Sequence, residues 1–260
     1  MNKEQKSKFV HEVFENIHTQ YDRANNKISF GLQKNWKQEL VDKIVEETPK
    51  NSDFLDVCCG TGDISIWLAK KREDLNIIGV DFSSAMLNEA VKKSKNLNIV
   101  WKEADALCLP FKDSSFSAVA ISFGLRNTVD YEKVLSEMIR VVKKDGFIYC
   151  LDSFVPDCLW IQPFYKIYFK YIMPLFGGGK KYYKEYVWLY ESTQQFLKKK
   201  ELILLYEKLG LKDSNELIDC LIIYPSLEEN KDLNFNKLET IEGYAKIYKQ
   251  SLSIPLIIEH

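Results

Sequence analysis

Residues 54–63, "FLDVCCGTGD", bring an aspartate, two adjacent cysteines, a glycine–threonine–glycine turn and a second aspartate close together. Such a stretch could ligate a metal, run thiol redox chemistry, or cradle a ligand on backbone amides. A metal needs further nitrogen, sulfur or oxygen ligands at suitable spacing. No C-x-x-C or H-x-x-x-H accompanies Cys58 and Cys59, and the histidines are His11, His18 and His260. No metal is therefore expected. Adjacent cysteines close only a strained ring, which weakens the redox reading. The pair reads as packing at the end of a strand, and Cys108, Cys150, Cys158 and Cys220 as buried small residues or free thiols.

The glycines say more. Gly60 and Gly62 follow a short apolar run and open a helical pattern. They permit a sharp turn with close backbone approach to a ligand, which the helix amides then face. The dinucleotide fingerprint G-x-G-x-x-G is not met, because position 65 is serine, and no G-K-[ST] follows. Asp56 and Asp63 would repel a pyrophosphate; an amino group and a cationic centre would suit them. Further on, Asp81 in "GVDFS" can accept both hydroxyls of a ribose, one on each carboxylate oxygen. Asp105 in "EADALCLPF" can accept from an adenine amino group, with the Ala106 backbone beside it, and another apolar run ends at Ser122. A glycine loop, spaced acids and a polar strand end point to S-adenosyl-L-methionine as the cofactor, in preference to NAD.

Placing these residues together requires a sheet. From residue 52 the chain alternates apolar strands ("DFLDVCC", "NIIGVDF", "NIVWKEAD", "FSAVAISFG", "GFIYCLDSF") with helical patterns ("GDISIWLAKKR", "SSAMLNEAVKKSK", "DYEKVLSEMIRVVK"). This predicts an α/β fold with a Rossmann-like, doubly wound, mostly parallel seven-stranded sheet. Residues at the carboxyl ends of its strands would then line one edge, where such sheets bind ligands. Residues 1–48 are expected to form an N-terminal helical lid and 49–154 the cofactor-binding core. Residues 155–200 form an aromatic helical insertion after strand five, on the acceptor side, and 201–260 supply the last helix and strands. Those last strands are "LIDCLIIYP" and "EGYAKIYKQ", the latter antiparallel near the sheet edge.

Composition bounds the rest. Lys+Arg 36 against Asp+Glu 37 gives a net charge of −1, which does not favour a nucleic-acid partner. The N-terminus lacks an apolar signal region, and the most apolar run, 158–178, is broken by Lys166, Lys170, Pro163 and Pro174. The expected location is the cytoplasm, with the inner face of the membrane as a peripheral site.

Several motifs together resemble class I S-adenosylmethionine methyltransferases, and more closely the ubiquinone/menaquinone biosynthesis C-methyltransferase family. "YDRANNKISFGLQKNW" (21–36) is similar to Y-D-x-M-N-x-x-[LIVM]-S-x-x-x-H-x-x-W, and "RVVKKDG" (140–146) to R-V-[LI]-K-P-G-G. "DVCCGTGD", "LPF", "SFGLRN" and "YFKYIMPLFG…YKEYVWLYES" also look like family segments, so the resemblance covers roughly residues 8–210. Ala24 and Gln33 stand where the family has methionine and histidine, and "KKDG" replaces K-P-G-G. The sequence departs most after Gly210, where "EGYAKIY" with Tyr248 stands for the family's last strand.

The resemblance implies that Thr61, Asp81, Asp105, Ala106 and Ser122 hold the cofactor and that Tyr21, Asp22 and Asn25 close over its methionine end. With the loop residues, the expected cofactor set is Tyr21, Asp56, Gly60, Thr61, Gly62, Asp81, Phe82, Asp105, Ala106 and Ser122. "GLRN" (124–127) would lie beside the acceptor, which makes Arg126, Asn127 and Tyr21 the catalytic candidates. Arg126 could stabilise a phenolate or hold a water that takes its proton; otherwise it is a sheet-edge arginine paired with a carboxylate. His11 and His18 share a helix face as structural histidines or as a base. Aromatic residues from Tyr165 to Trp188 can line an acceptor pocket, fill a core or form a homodimer face. The lysines among them suit contact with membrane lipid or with solvent. The expected acceptor is an aromatic or quinol-type small molecule, best a demethylmenaquinol-like one; the alternatives are a soluble natural product and a protein that binds the cofactor without transferring methyl groups.

Overall fold

The structure, a computed structural model, describes residues 2–211 and the backbone of strand Leu256–Glu259. The strands are β1 (Asp53–Val57), β2 (Asn76–Asp81), β3 (Ile99–Glu103), β4 (Phe116–Ser122), β5 (Val142–Leu151) and β6 (Leu256–Glu259). Their spatial order is β3-β2-β1-β4-β5-β6, with all pairs parallel except β5–β6. The doubly wound fold is thus as expected, with six strands among the described residues instead of the seven expected. The antiparallel strand beside β5 comes from residues 256–259, whereas the strands expected at 217–225 and 242–250 lie outside the described residues. No helix intervenes between β3 and β4, and β3, at the edge, is exposed along much of its length.

The helices are α1 (Lys3–Ile17), α2 (Tyr21–Ile28), α3 (Leu32–Glu47), α4 (Asp63–Lys71), α5 (Ser84–Lys93), α6 (Tyr131–Val141), α7 (Gln162–Ile167), α8 (Met173–Gly178), α9 (Tyr183–Gln195) and α10 (Lys199–Lys208). A π-helical turn, Tyr168–Ile172, joins α7 to α8. Side-chain caps start α5 and α6: Ser83 accepts from the Met86 amide and Asp130 from the Lys133 amide. These caps fix where α5 and α6 leave the sheet.

Burial follows the layers. Leu135, Met138, Leu202 and Tyr206 cover one sheet face, and Trp36, Leu40, Ile44 and Leu68 cover the other. A third core lies above the carboxyl edge of the sheet. It joins Val10, Val13, Ile17 and Ala24 of the first two helices to Tyr165, Tyr186 and Trp188 of the insertion. The N-terminal helices and the insertion therefore roof the strand ends together, while α3 belongs to the sheet. β1 has β2 on one side and β4 on the other, so the chain reverses direction across the sheet between these strands. That reversal opens the crevice in which open α/β sheets bind ligands.

Candidate functional site

A cavity fills this crevice. Gly60, Asp81, Phe82, Asp105, Ala106 and Ser122 line it from the strand ends, and Tyr21 and Asn127 line it from the roof and from the turn after β4. Residues from four separate strand ends thus converge as the sequence predicts.

Asp81 ends β2 and is buried. Its two oxygens accept the amides of Gly60 (2.8 Å) and Ser83 (2.9 Å). Burial pushes its carboxyl up to about 6 against the pull of these amides. Each carboxylate oxygen retains a further lone pair for a hydroxyl donor. Asp105 is exposed at the rim and accepts the Leu107 amide at 2.9 Å. The Ser122 hydroxyl is buried on the cavity wall without a hydrogen-bond partner. An orphaned hydroxyl, an acid with open lone pairs and a glycine facing empty space suit a ligand rich in hydroxyl and amino groups.

The two loop glycines do different things. A Cβ on Gly60 would meet nothing within 4 Å. A Cβ on Gly62 would lie 2.4 Å from the Trp101 ring. Gly62 therefore makes room for packing, whereas Gly60 faces open space. Cys58, read from the sequence as core filling, has a left-handed backbone (φ 54°) and lines the cavity. Cys59 lies against Gly79.

Asp56 sits behind the wall. Its Oδ2 accepts the Ser65 hydroxyl at 2.7 Å, and its Oδ1 is buried without a partner. Burial raises its carboxyl to about 7, only partly offset by Ser65. Thr61 likewise does not face the cavity: its hydroxyl donates to Asp22 on α2 at 2.6 Å. Lys93 donates to Asp22 (2.7 Å), Thr61 (3.1 Å) and Asp63 (2.5 Å), and Lys37 reaches Asp63 at 2.9 Å. Burial alone would raise the Asp63 carboxyl; the two lysines overcome it and hold it at about 2. Asn25 is buried in α2.

Arg126 is buried and paired with the buried Asp152, the residue just beyond β5. Asp152 also accepts the Arg126 amide at 3.0 Å and the Ser153 amide at 2.8 Å. The guanidinium lies over the Phe123 ring at 5.6 Å, and its Nε has no partner. The paired-carboxylate reading of this arginine is therefore what the geometry displays. Asn127 donates to the Phe123 carbonyl (3.1 Å) and accepts from the Trp188 indole (3.1 Å), which fastens the insertion to the site. Tyr21 is raised by burial, against the opposing fields of Lys37 and Arg126. Neither histidine lines the cavity: His11 packs on Phe82 at 5.2 Å, and His18 meets the Glu15 carbonyl.

Sequence reasoning missed Asp152, Lys37 and the ring walls Phe14 and Phe123. Asp152 had a readable signal, since it ends a strand as Asp81 does. Among the insertion's aromatics, Tyr165, Tyr186 and Trp188 are buried, while Tyr171 and Phe176 face outward. No group of metal-ligating side chains occurs among the described residues, and no described helix is long and apolar enough to cross a membrane. The described cysteines are all free thiols.

Comparison with known proteins is consistent with this geometry. The model of the ubiE/COQ5 methyltransferase family matches residues 1–217. A demethylmenaquinone methyltransferase of Bacillus licheniformis is 44% identical over 211 residues, covering 80% of this chain and 90% of that protein. The protein solved in complex with the Trm112 methyltransferase activator of Haloferax volcanii superposes with a TM-score of 0.60 at 15% identity, covering 95% of this chain and 96% of that one. An S-adenosylmethionine-dependent methyltransferase of Thermotoga maritima gives 0.53 at 21% identity, covering 78% and 81%. The sequence match ends close to where the chain departs from the family motifs.

Proposed function

The chain belongs to the ubiE/COQ5 methyltransferase family and is an S-adenosylmethionine-dependent methyltransferase, and we propose that it methylates a ring carbon of a demethylmenaquinol-like acceptor. The observation that carries this acceptor is the 44% identity, over four-fifths of the chain, to a demethylmenaquinone methyltransferase. A second reading, a soluble aromatic natural product, draws on the residues beyond 217, where the family match stops.

Bound in the crevice, S-adenosylmethionine supplies an electrophilic methyl group on a sulfonium. The chain's own residues position and polarise. In this reading Asp81 accepts the ribose hydroxyls, Asp105 and the Ala106 backbone meet the adenine, and Ser122 fills its vacant bond. Asp56, behind the loop, keeps the glycine turn in place through Ser65. Tyr21 and Phe14 close the cavity from the roof and exclude water.

Arg126 acts on the acceptor side. A ring hydroxyl must lose or share its proton before the ring carbon becomes nucleophilic. A buried guanidinium favours the resulting phenolate, because a charge in a water-poor site acts at low dielectric. When the new carbon–carbon bond forms, the methyl–sulfur bond breaks, and the ring carbon's proton leaves to water. Alignment supplies most of the rate, so few residues need do acid–base work. An acceptor carrying a prenyl tail resides in a bilayer, so this reading also brings the protein to a lipid surface.

The test is turnover of reduced demethylmenaquinone analogues, followed by mass spectrometry. A gain of one methyl on a ring carbon is expected. Methylation of soluble phenolic acceptors with no product from the analogues would overturn the acceptor assignment.

A further inference from the structure

The insertion that roofs the site is apolar on both sides. Its inner residues, Ile161, Tyr165 and Met173, are buried. On the outer side Trp160 is 88% exposed, Phe164 68%, Ile167 53%, Tyr171 52% and Leu175 56%. Trp160 lies in the turn before α7, and the other four follow at intervals of three or four through α7, the π turn and α8. They form one continuous face, which Phe30, 70% exposed and 6.1 Å from Tyr168, extends past the α2–α3 turn. Scattered exposed apolar residues are ordinary, but a contiguous stripe marks a surface that something covers.

The charge around the stripe says what. Residues 158–184 contain five lysines and no aspartate or glutamate, in a chain whose net charge is −1. Several lysines lie over aromatic rings: Lys170 over Tyr171 at 5.5 Å, Lys181 over Tyr182 at 4.7 Å and Lys27 over Phe176 at 5.2 Å. These contacts set ammonium groups against exposed or half-exposed rings in and beside the stripe. Tryptophan and tyrosine, apolar with one polar end, favour the boundary between water and lipid. A second copy of the chain fits poorly. In a two-fold interface the same patch meets itself, so lysines would face lysines.

We propose that this outer face docks on the surface of an anionic lipid bilayer. The aromatic stripe enters the boundary between headgroups and acyl chains, and the lysines meet the phosphates. The inner face of the same helices carries Tyr165, whose phenol lies in the electrostatic field of Arg126. Docking would therefore set the acceptor side of the site one helix thickness from the lipid. Only that consequence rests on the acceptor reading above; the docking surface itself does not.

The experiment is flotation of the full chain with phosphatidylcholine vesicles, with and without about a quarter phosphatidylglycerol. One variant combines Trp160→Ala, Phe164→Ala and Ile167→Ala; another combines Lys166→Ser, Lys180→Ser and Lys181→Ser. The wild type should float with the anionic vesicles and far less with neutral ones. Each triple variant should lose about tenfold or more in vesicle affinity, with cofactor affinity by calorimetry unchanged. Wild-type chain that stays unbound, or an apolar variant that floats as well as wild type, would overturn the proposal. So would a wild-type dimer that the apolar variant splits without any change in flotation. Turnover should fall for a long-chain acceptor embedded in vesicles and persist for a short, water-soluble one. If neither acceptor is methylated, the acceptor reading fails, while flotation without acceptor still decides the docking surface.

Discussion

Asp22 of α2 accepts the hydroxyl of Thr61, the middle residue of the glycine turn, at 2.6 Å. Lys93 of α5 bridges the same two residues. The roof is thus fastened to the cofactor loop at a point where the sequence suggests that Thr61 meets the ligand. In the proposed reading Asp22 and Thr61 serve the cofactor by closing the crevice over it. Asp22→Ala should therefore speed cofactor dissociation about tenfold or more, since a net hydrogen bond to a charged group is worth about 1.5–3 kcal/mol. Stopped-flow displacement measures this; an unchanged dissociation rate would remove the fastening from the binding mechanism.

Asp81 gives the sharpest test of the cofactor site. In the proposed reading Asp81→Ala removes the acceptor for both ribose hydroxyls and should cost about a hundredfold or more in affinity by calorimetry. The wild type adds a pH signature. The carboxyl is raised to about 6, so it is ionised above that pH and protonated below it. A protonated acid gives up acceptor capacity, so affinity should fall as pH drops through about 6. A flat profile from pH 5 to 8 would contradict the assignment.

Arg126 needs a design that separates chemistry from folding. Removing it leaves Asp152 charged and buried without its partner, a loss of about 3–5 kcal/mol at a pair that is almost wholly enclosed. Arg126→Ala should therefore lower the melting temperature as well as turnover. The double variant Arg126→Met, Asp152→Leu should recover most of the stability but none of the turnover, with cofactor affinity near wild type. Full turnover in the double variant would reduce the pair to a structural role.

Much of the sheet and half of the site can be read in the sequence, because both are local. β1, β2 and β4 are mostly apolar runs, and Asp81 and Ser122 end the latter two. What escapes the sequence depends on separation along the chain. Asp152 matters because it meets Arg126, and Lys37 because helix α3 sets it against Asp63. On its own, a lysine in an amphipathic helix reads as a solvated group. The outward face of the insertion escapes for the same reason, since an aromatic stripe carries no mark of which side is buried. The strand Leu256–Glu259 is four residues long, too short to outweigh the longer candidate at 242–250.

Asp56 should make stability depend on pH in an uncommon direction. Its folded carboxyl is raised to about 7 by burial, whereas an unfolded aspartate titrates near about 4. Between those values the folded state holds a proton that the unfolded state lacks. Stability from this group is then fully present below about 4 and is lost as pH rises through about 7. Asp56→Asn, which cannot titrate, should flatten that slope in denaturant melts between pH 5 and 8. An unchanged slope would mean that Asp56 ionises normally in the folded chain.

The two loop glycines should fail in different ways. Both have positive φ, 56° at Gly60 and 80° at Gly62, so alanine costs about 1–2 kcal/mol of backbone strain at either. At Gly62 the new methyl would also overlap the Trp101 ring at 2.4 Å. That ring is held by its own bond to Ser94 at 2.9 Å and cannot swing away cheaply. Gly62→Ala should thus cost about 2–5 kcal/mol in all, read as a large drop in melting temperature. At Gly60 the methyl would point into the crevice, where no protein atom lies within 4 Å. Gly60→Ala should keep most of its stability and lose cofactor affinity instead, because the methyl occupies the ligand's space. Calorimetry and thermal melts on both variants check the contrast. If Gly60→Ala binds cofactor as wild type does, the ligand does not approach the loop from that side, and the assignment of the turn fails.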